Sequence, residues 1–343
     1  MRVLVTGSEG YIGSVLAPLL EDAGHDVEGL DTGFYRGCDF GRSDTAPATA
    51  RRRDIRDVLP AELEGLDAIV HLAALSNDPV GDLDPSLTAE INYEATLRLA
   101  RGAREAGVRR FVFASSCSMY GASGSDDVLD EDAPLRPITA YAESKVRSEE
   151  GLAALAGADF CPVAMRNATV YGISPRLRLD IVLNNLAGWS HCTGEVRLLS
   201  DGSAWRPLIH VRDLSKVALA LLEAPENSIR GQSVNVGSEP QNYRIRELAD
   251  MLSEVTGCGV TVAEGSGADT RSYRVDFSRL GDLLPGLELD WNAELGAREL
   301  IDAYRTVGLT LDDFNGDLYT RLRRLHRLRH DAPPGARRRC WGR

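Results

Sequence analysis

Arg2-Val3-Leu4-Val5-Thr6, followed at once by Gly7-Ser8-Glu9-Gly10-Tyr11-Ile12-Gly13, decides the fold. The first five residues are rich in β-branched side chains and read as a strand. From Ile12 the apolar residues Val15, Leu16, Leu19 and Leu20 recur at helical spacing. The glycines join the two elements. Gly7 permits the tight turn, Gly10 lets backbone approach a pyrophosphate, and Gly13 lets the helix pack closely on the sheet. Tyr11 and Ile12 belong to the same cradle, where the helix N-terminus presents free N–H groups to an anion. A second strand, His25 to Leu30, ends in Asp31. A carboxylate there accepts from a ribose 2′-OH and repels a 2′-phosphate, so the expected cofactor is NAD rather than NADP.

Strands and helices then alternate. Ala68 to Leu72 reads as a buried strand, and Ala73 and Ala74 are small enough for a dinucleotide to lie against the backbone. Ser76 to Pro85 is a polar loop, suited to a substrate or a lid, with Ser76 expected at the cofactor. Thr88 to Ala106 is a helix whose Asn92 is placed to bond a neighbouring strand or an ordered water, and is counted with the cofactor residues. Arg110 to Ala114 is a further strand. This rhythm predicts an α/β fold with a doubly wound parallel sheet. Ligands in such sheets lie beyond the carboxyl ends of the strands, where Gly7, Asp31, Ala73, Ser115 and Ser116 all fall. Phe34 to Ala50 reads as a loop over the adenosine half. Asp54, next to Ile55, suits either an adenine amino group or a helix cap.

Tyr141 and Lys145 are i and i+4 on a helix expected to run to about Ala156, so they share a face. A phenol titrates near 10. A nearby ammonium and a nicotinamide cation favour the phenolate, which lets the phenol exchange a proton with a substrate hydroxyl near neutral pH. Phe160 to Met165 is a sixth strand, leading to Asn167 and Thr169. Beyond it the rhythm loosens: a helix over Leu177 to Trp189, strands at Glu195 to Leu199, Arg206 to Val211 and Ser233 to Val236, and helices over Asp213 to Leu222 and Arg246 to Thr256. The expected layout is a dinucleotide domain over 1–166, also receiving segments near 205–240, and a smaller α+β substrate domain over 167–320, interleaved with it. Residues 321–343 carry nine arginines against one acid. Leu322, Leu325 and Leu328 suggest a basic helix ended by Pro333-Pro334-Gly335, within a solvated or disordered tail.

The net charge of −12 over 343 residues argues against general nucleic-acid binding. No apolar run reaches the roughly 18 residues of a membrane span. The chain enters a strand at once, which predicts no signal peptide, and the six scattered cysteines read as reduced thiols in a cytoplasm. The six histidines form no metal-ligand pattern.

The chain resembles the extended short-chain dehydrogenase/reductases of the nucleotide-sugar epimerase/dehydratase family over about residues 1–305. The resemblance rests on TGSEGYIG (6–13), Asp31, RDI (53–55), HLAAL (71–75), SSCSMYG (115–121), YAESK (141–145), RNATVYG (166–172), RPLIHVRDL (206–214) and NVG (235–237). It implies Tyr141 as acid/base, Lys145 as the residue that holds the nicotinamide ribose, and Ser116 as the hydroxyl bonding the reacting oxygen. It implies a nucleotide-diphosphate sugar as substrate, redox chemistry usually at C4, Asn185 and Arg206 on the diphosphate, and a homodimer built on the helices bearing Tyr141 and residues 88–106. Leu97, Leu99, Leu152 and Leu155 suit that interface or, equally, the sheet. The Asp-Glu pair that 4,6-dehydratases place after the Ser/Thr is here Cys117 and Ser118, which argues against dehydration. The decarboxylases' glutamate in that segment is missing too. Thr169 replaces a usual Asn, and Ser266 stands where a second diphosphate arginine is expected, with Arg271 or Arg274 as substitutes. The reading that follows is an NAD-dependent nucleotide-sugar epimerase. The alternatives are an NAD(P)H-dependent 4-ketoreductase of a deoxysugar and a catalytically silent NAD-binding protein.

Overall fold

Parallel pairing starts at the first strand, Arg2–Thr6, which lies between Asp26–Asp31 and Ala68–His71. The sheet has seven strands, all parallel, in the order Ser233–Val236, Cys161–Asn167, Arg110–Ser116, Ala68–His71, Arg2–Thr6, Asp26–Asp31, Thr49–Arg52. This computed structural model describes residues 1–41, 49–122, 127–263, 267, 269 and 271–331. Side chains alternate across the sheet as a strand requires. Val3 and Val5 face Leu16 and Leu20 of the first helix (Gly13–Asp22) and Val217 and Leu221 of a helix over Val211–Glu223. Leu4 faces the other way, toward Phe111, Leu97, Leu99 and Leu152. Those last three leucines are buried within the chain, and Leu155 packs partly against the same cluster. Of the two placements open to them, the structure takes the sheet.

The seventh strand in sheet order, Thr49–Arg52, begins inside the stretch expected as a loop, Phe34 to Ala50. It is an edge strand without apolar alternation, and Arg51 pairs with Glu28 on the neighbouring strand, so charge holds it where pattern gives no signal. Residues 42–48 of that expected loop lie outside the described residues. The predicted helix over 88–106 is also not uniform. A π-helical stretch, Ala89–Ala95, joins a short turn, Pro85–Thr88, to the helix Thr96–Glu105.

The second unit gathers around Leu183, Leu198, Leu248 and Leu300. It carries a three-stranded sheet, Asn242–Arg244, Trp205–His210 and Thr169–Tyr171, and a parallel pair, Glu195–Leu198 with Gly259–Val262. Its first helix is Val182–Thr193, so residues 177–181 are not helical. Arginine and leucine alternate over 176–179, and Leu177 and Leu179 are buried. That is a strand-like period of two. The basic C-terminal segment opens with a helix, Arg321–Asp331, whose outer face is exposed but whose inner face is docked: Arg321 and Leu325 are buried, the latter among Leu75, Val80 and Leu87. Residues 332–343 lie outside the described residues. Among the described residues, no helix is long and apolar enough to cross a membrane, and no cluster of His, Cys, Asp or Glu has the makings of a metal site.

Candidate active site

The carboxyl ends of the central strands form one rim, and the glycine turn sits in its middle. Gly7 has φ +74°, and a Cβ there would come within 2.9 Å of the Ala73 amide nitrogen. A Cβ on Gly13 would overlap the Gly7 carbonyl oxygen. Gly10 N donates to Gly7 O at 3.0 Å, closing the turn. Asp31 stands beside it. Its Oδ2 accepts from Glu9 N at 3.0 Å and its Oδ1 from Gly33 N at 2.8 Å. Burial pushes its pKa up, and the two backbone N–H groups oppose that shift.

A cavity of about 880 Å³ opens from this rim toward the second unit. Tyr11, Ile12, Leu72, Ala74 and Ser76 line its dinucleotide side, together with Ser115 and Asn167. Asn167 Oδ1 is buried without a hydrogen-bond partner. An orphaned acceptor of this kind calls for a ligand donor, so cradle, acid and orphan together fit a dinucleotide.

Ser116, Tyr141 and Lys145 meet in the cavity wall. Thr139 Oγ1 caps the helix Ala140–Leu155 by accepting from Ala142 N at 3.1 Å, which fixes where Tyr141 emerges. Ser116 hydrogen-bonds the Tyr141 side chain and donates to Ser118 Oγ at 2.9 Å. Lys145 Nζ donates to Ala114 O at 2.6 Å and lies 5.6 Å from the Tyr141 ring centre. Burial pushes the phenol up to about 12, Asp78 adds to that, and Ser116 and Arg178 pull it back. The expectation of a phenol drawn below 10 is therefore not met by the protein alone, because burial outweighs every protein cation nearby. Burial also draws Lys145 down to about 7 against the pull of Glu149.

That lysine shift has a measurable consequence. Between pH 7 and its ordinary value of 10.5, Lys145 is neutral when folded and charged when unfolded, so unfolding takes up a proton and stability rises with pH. Urea unfolding between pH 7.5 and 9.5 should show a slope of up to about 1.4 kcal/mol per pH unit from this group. Lys145→Met should remove that contribution and leave a flatter profile.

On the far side, Thr169, Ser118 and Asn185 line the cavity, with Asn185 Nδ2 donating to Leu179 O at 2.8 Å. Arg206 and Arg271 complete that wall. Arg206 Nη2 donates to Asp269 Oδ2 at 2.7 Å, and Arg271 bridges Asp269, at 3.2 Å, to Asp78, at 2.6 Å. Arg274 instead stacks 4.7 Å over Trp205, and Ser266 is outside the described residues.

Cys117, Asn92, Asp54, Ile55 and Ala73 are not among the residues that line the cavity. The Cys117 thiol is buried and donates to Arg166 O at 3.0 Å, away from the cavity, and burial pushes its pKa up. Asn92 is tied to both backbone groups of Leu75, at 2.8 and 3.0 Å, and to Ser144, so it positions the segment after the fourth strand. Asp54 accepts from Arg56 N at 2.9 Å as the cap of a short turn, and Ile55 is in the core. Ala73 is the backbone against which Gly7 rests. Sequence reading missed Arg178 and Asp180, an ion pair at 2.9 Å in the cavity wall. The arginine–leucine alternation over 176–179 was the available signal.

Residues 3–237 match the family model described as the NAD dependent epimerase/dehydratase family. The chain belongs to that family. As an NAD-dependent enzyme of this kind, it is 30% identical to a UDP-glucose 4-epimerase of Corynebacterium glutamicum, over 75% of its own length and 81% of the relative's. The epimerase/dehydratase chain is also 32% identical to a 3-diazoavenalumate denitrifying reductase of a Streptomyces species, over 65% and 73%. A solved structure described as MoeE5 in complex with UDP-glucuronic acid and NAD is 29% identical, with TM-score 0.77, covering 89% of this epimerase/dehydratase and 99% of that chain.

Proposed function

We propose that the protein is a nucleotide-sugar 4-epimerase that keeps NAD through the cycle. The observation that carries this reading is the convergence of Ser116, Tyr141 and Lys145 in a cavity whose opposite wall bears Arg206 and Arg271. Elimination is disfavoured because positions 117 and 118 hold Cys and Ser, neither of them acidic. NAD supplies a reversible hydride acceptor for the sugar carbon and, through its positive nicotinamide ring, a charge that favours the Tyr141 phenolate. Tyr141 Oη takes the proton of the sugar hydroxyl and later returns it, Ser116 Oγ holds the same oxygen, and Lys145 Nζ orients the cofactor ribose. Arg206 and Arg271 grip the diphosphate, so the sugar is free to turn between the two half-reactions.

Purified protein should carry NAD through gel filtration, and one of the UDP-, dTDP-, GDP- or CDP-sugars should be converted to its C4 epimer without net NADH. Stoichiometric consumption of a reduced cofactor would instead favour a 4-ketoreductase. That second reading draws support from the likeness to a reductase and uses the same three residues. Arg206→Ala should raise KM for the nucleotide sugar by roughly 10- to 100-fold with a smaller change in kcat, because a charge-assisted pair to the diphosphate contributes alike to ground and transition states. Steady-state kinetics on the identified substrate check this.

A further inference from the structure

Arg321, at the start of the C-terminal helix, is 2% exposed, yet no carboxylate among the described residues pairs with its guanidinium. Its Nη2 donates to Arg176 O at 2.8 Å, its plane lies 4.0 Å over Tyr35, and its Nη1 is buried without a partner. The nearest acid, Asp180, is already taken: Arg178 donates to both its oxygens, at 2.9 and 3.2 Å, and Asn77 to one, at 3.0 Å. Arg178 and Arg321 thus place two buried cations against one carboxylate. An uncompensated buried charge costs several kcal/mol, so the pair is built for an anion. The contrast between them agrees: burial lowers both, but Asp180 brings Arg178 to a net rise, while Arg321 stays lowered.

The position says which anion. The helix Arg321–Asp331 spans the loop after the second strand and the segment after the fourth, packing on Phe34, Tyr35, Leu75 and Val80. Arg324 fastens it by donating to Phe34 O at 3.3 Å and Arg36 O at 3.1 Å. The charges of Arg178 and Arg321 bear on both Tyr11, in the glycine turn, and Tyr35, which also senses Asp31. Arg178 lines the cavity together with Tyr11 and Tyr141, while Arg321 stacks on Tyr35, in the loop that follows Asp31 at the adenosine end. We propose that Arg321 binds the diphosphate of the dinucleotide, with Arg178 beside it, and that the helix it begins straps the cofactor into the crevice. This helix lies beyond residues 3–237, so the family match does not include it. The inference rests on NAD as the cofactor.

The test is cofactor release from the full-length protein. Arg321→Met removes the charge and keeps the bulk. It should speed NAD dissociation by roughly 10- to 100-fold and weaken ADP-ribose by the same factor, the scale of one charged hydrogen-bonding group. Adenosine, which has no diphosphate, should bind as before, and the apoprotein should melt no lower than the parent. Leu325→Asp, which undocks the helix, should speed NAD release as well. Should Arg321→Met not fold, Arg321→Lys keeps the charge without the fork and should give an intermediate release rate. Unchanged NAD release in the folded variants overturns the proposal, and so does an equal loss of adenosine, which would mean a collapsed pocket. Failure of the parent protein to bind NAD at all would instead overturn the functional reading beneath it.

Discussion

Tyr141→Phe should lower kcat by about 10²- to 10⁴-fold, the range a positioned acid/base contributes, while the protein still carries its NAD. The phenol is buried beside Ser116, and its ordinary proton affinity is raised by that burial. On the proposed mechanism, its proton leaves when the substrate and the nicotinamide charge are both in place. Removing one oxygen leaves the glycine cradle, Asp31 and Lys145 untouched, so cofactor content measured after gel filtration should match the parent. Retention of more than about a tenth of the turnover would assign the proton to another group.

The second large effect is on stability. Glu149 and Arg166 are each 6% exposed and form an ion pair at 2.9 Å between the Tyr141-bearing helix and the strand Cys161–Asn167. The pair is satisfied on all sides. Arg166 Nη1 donates to Tyr120 Oη at 3.0 Å and Glu131 O at 2.8 Å, and Glu149 Oε2 also accepts from Ser233 Oγ at 2.9 Å on the edge strand. Glu149→Ala leaves a buried guanidinium without its counter-charge and should cost about 3–5 kcal/mol. Replacing both residues by apolar ones should cost less than Glu149→Ala alone, because no charge is then stranded. Urea unfolding at pH 7 measures both. A single-variant cost below about 1 kcal/mol would mean that water reaches the arginine. The same substitution should depress the Lys145 pKa further, since Glu149 is the group holding it up.

The dinucleotide half was legible because its signals are local. A strand, three glycines and a helix of period 3.6 can be read without knowing what they touch, and Tyr141 and Lys145 announce a shared face by spacing alone. Thr49–Arg52 was not legible, since an edge strand held by Arg51 and Glu28 has no apolar rhythm. Asn92 was read as bonding a neighbouring strand or a water and was also counted with the cofactor residues; it bonds the Leu75 backbone just past the fourth strand, from a π-helical stretch that nothing in AEINYEA marks. Cys117 follows Ser116 directly, yet the chain enters a tight turn there and sends the thiol inward. Arg321 read as part of a basic tail because charge composition outweighed the leucine spacing. Its burial depends on Tyr35, nearly three hundred positions earlier, which no local pattern reveals.

The sheet strand Ser233–Val236 pairs with Cys161–Asn167, although the helix Val182–Thr193 and much of the second unit's chain come between them in sequence. On the ribosome, the nucleotide-binding half therefore emerges with a bare edge and stays unfinished until translation passes position 236. A cut in the chain between them would part the sheet's edge strand from the six strands it completes.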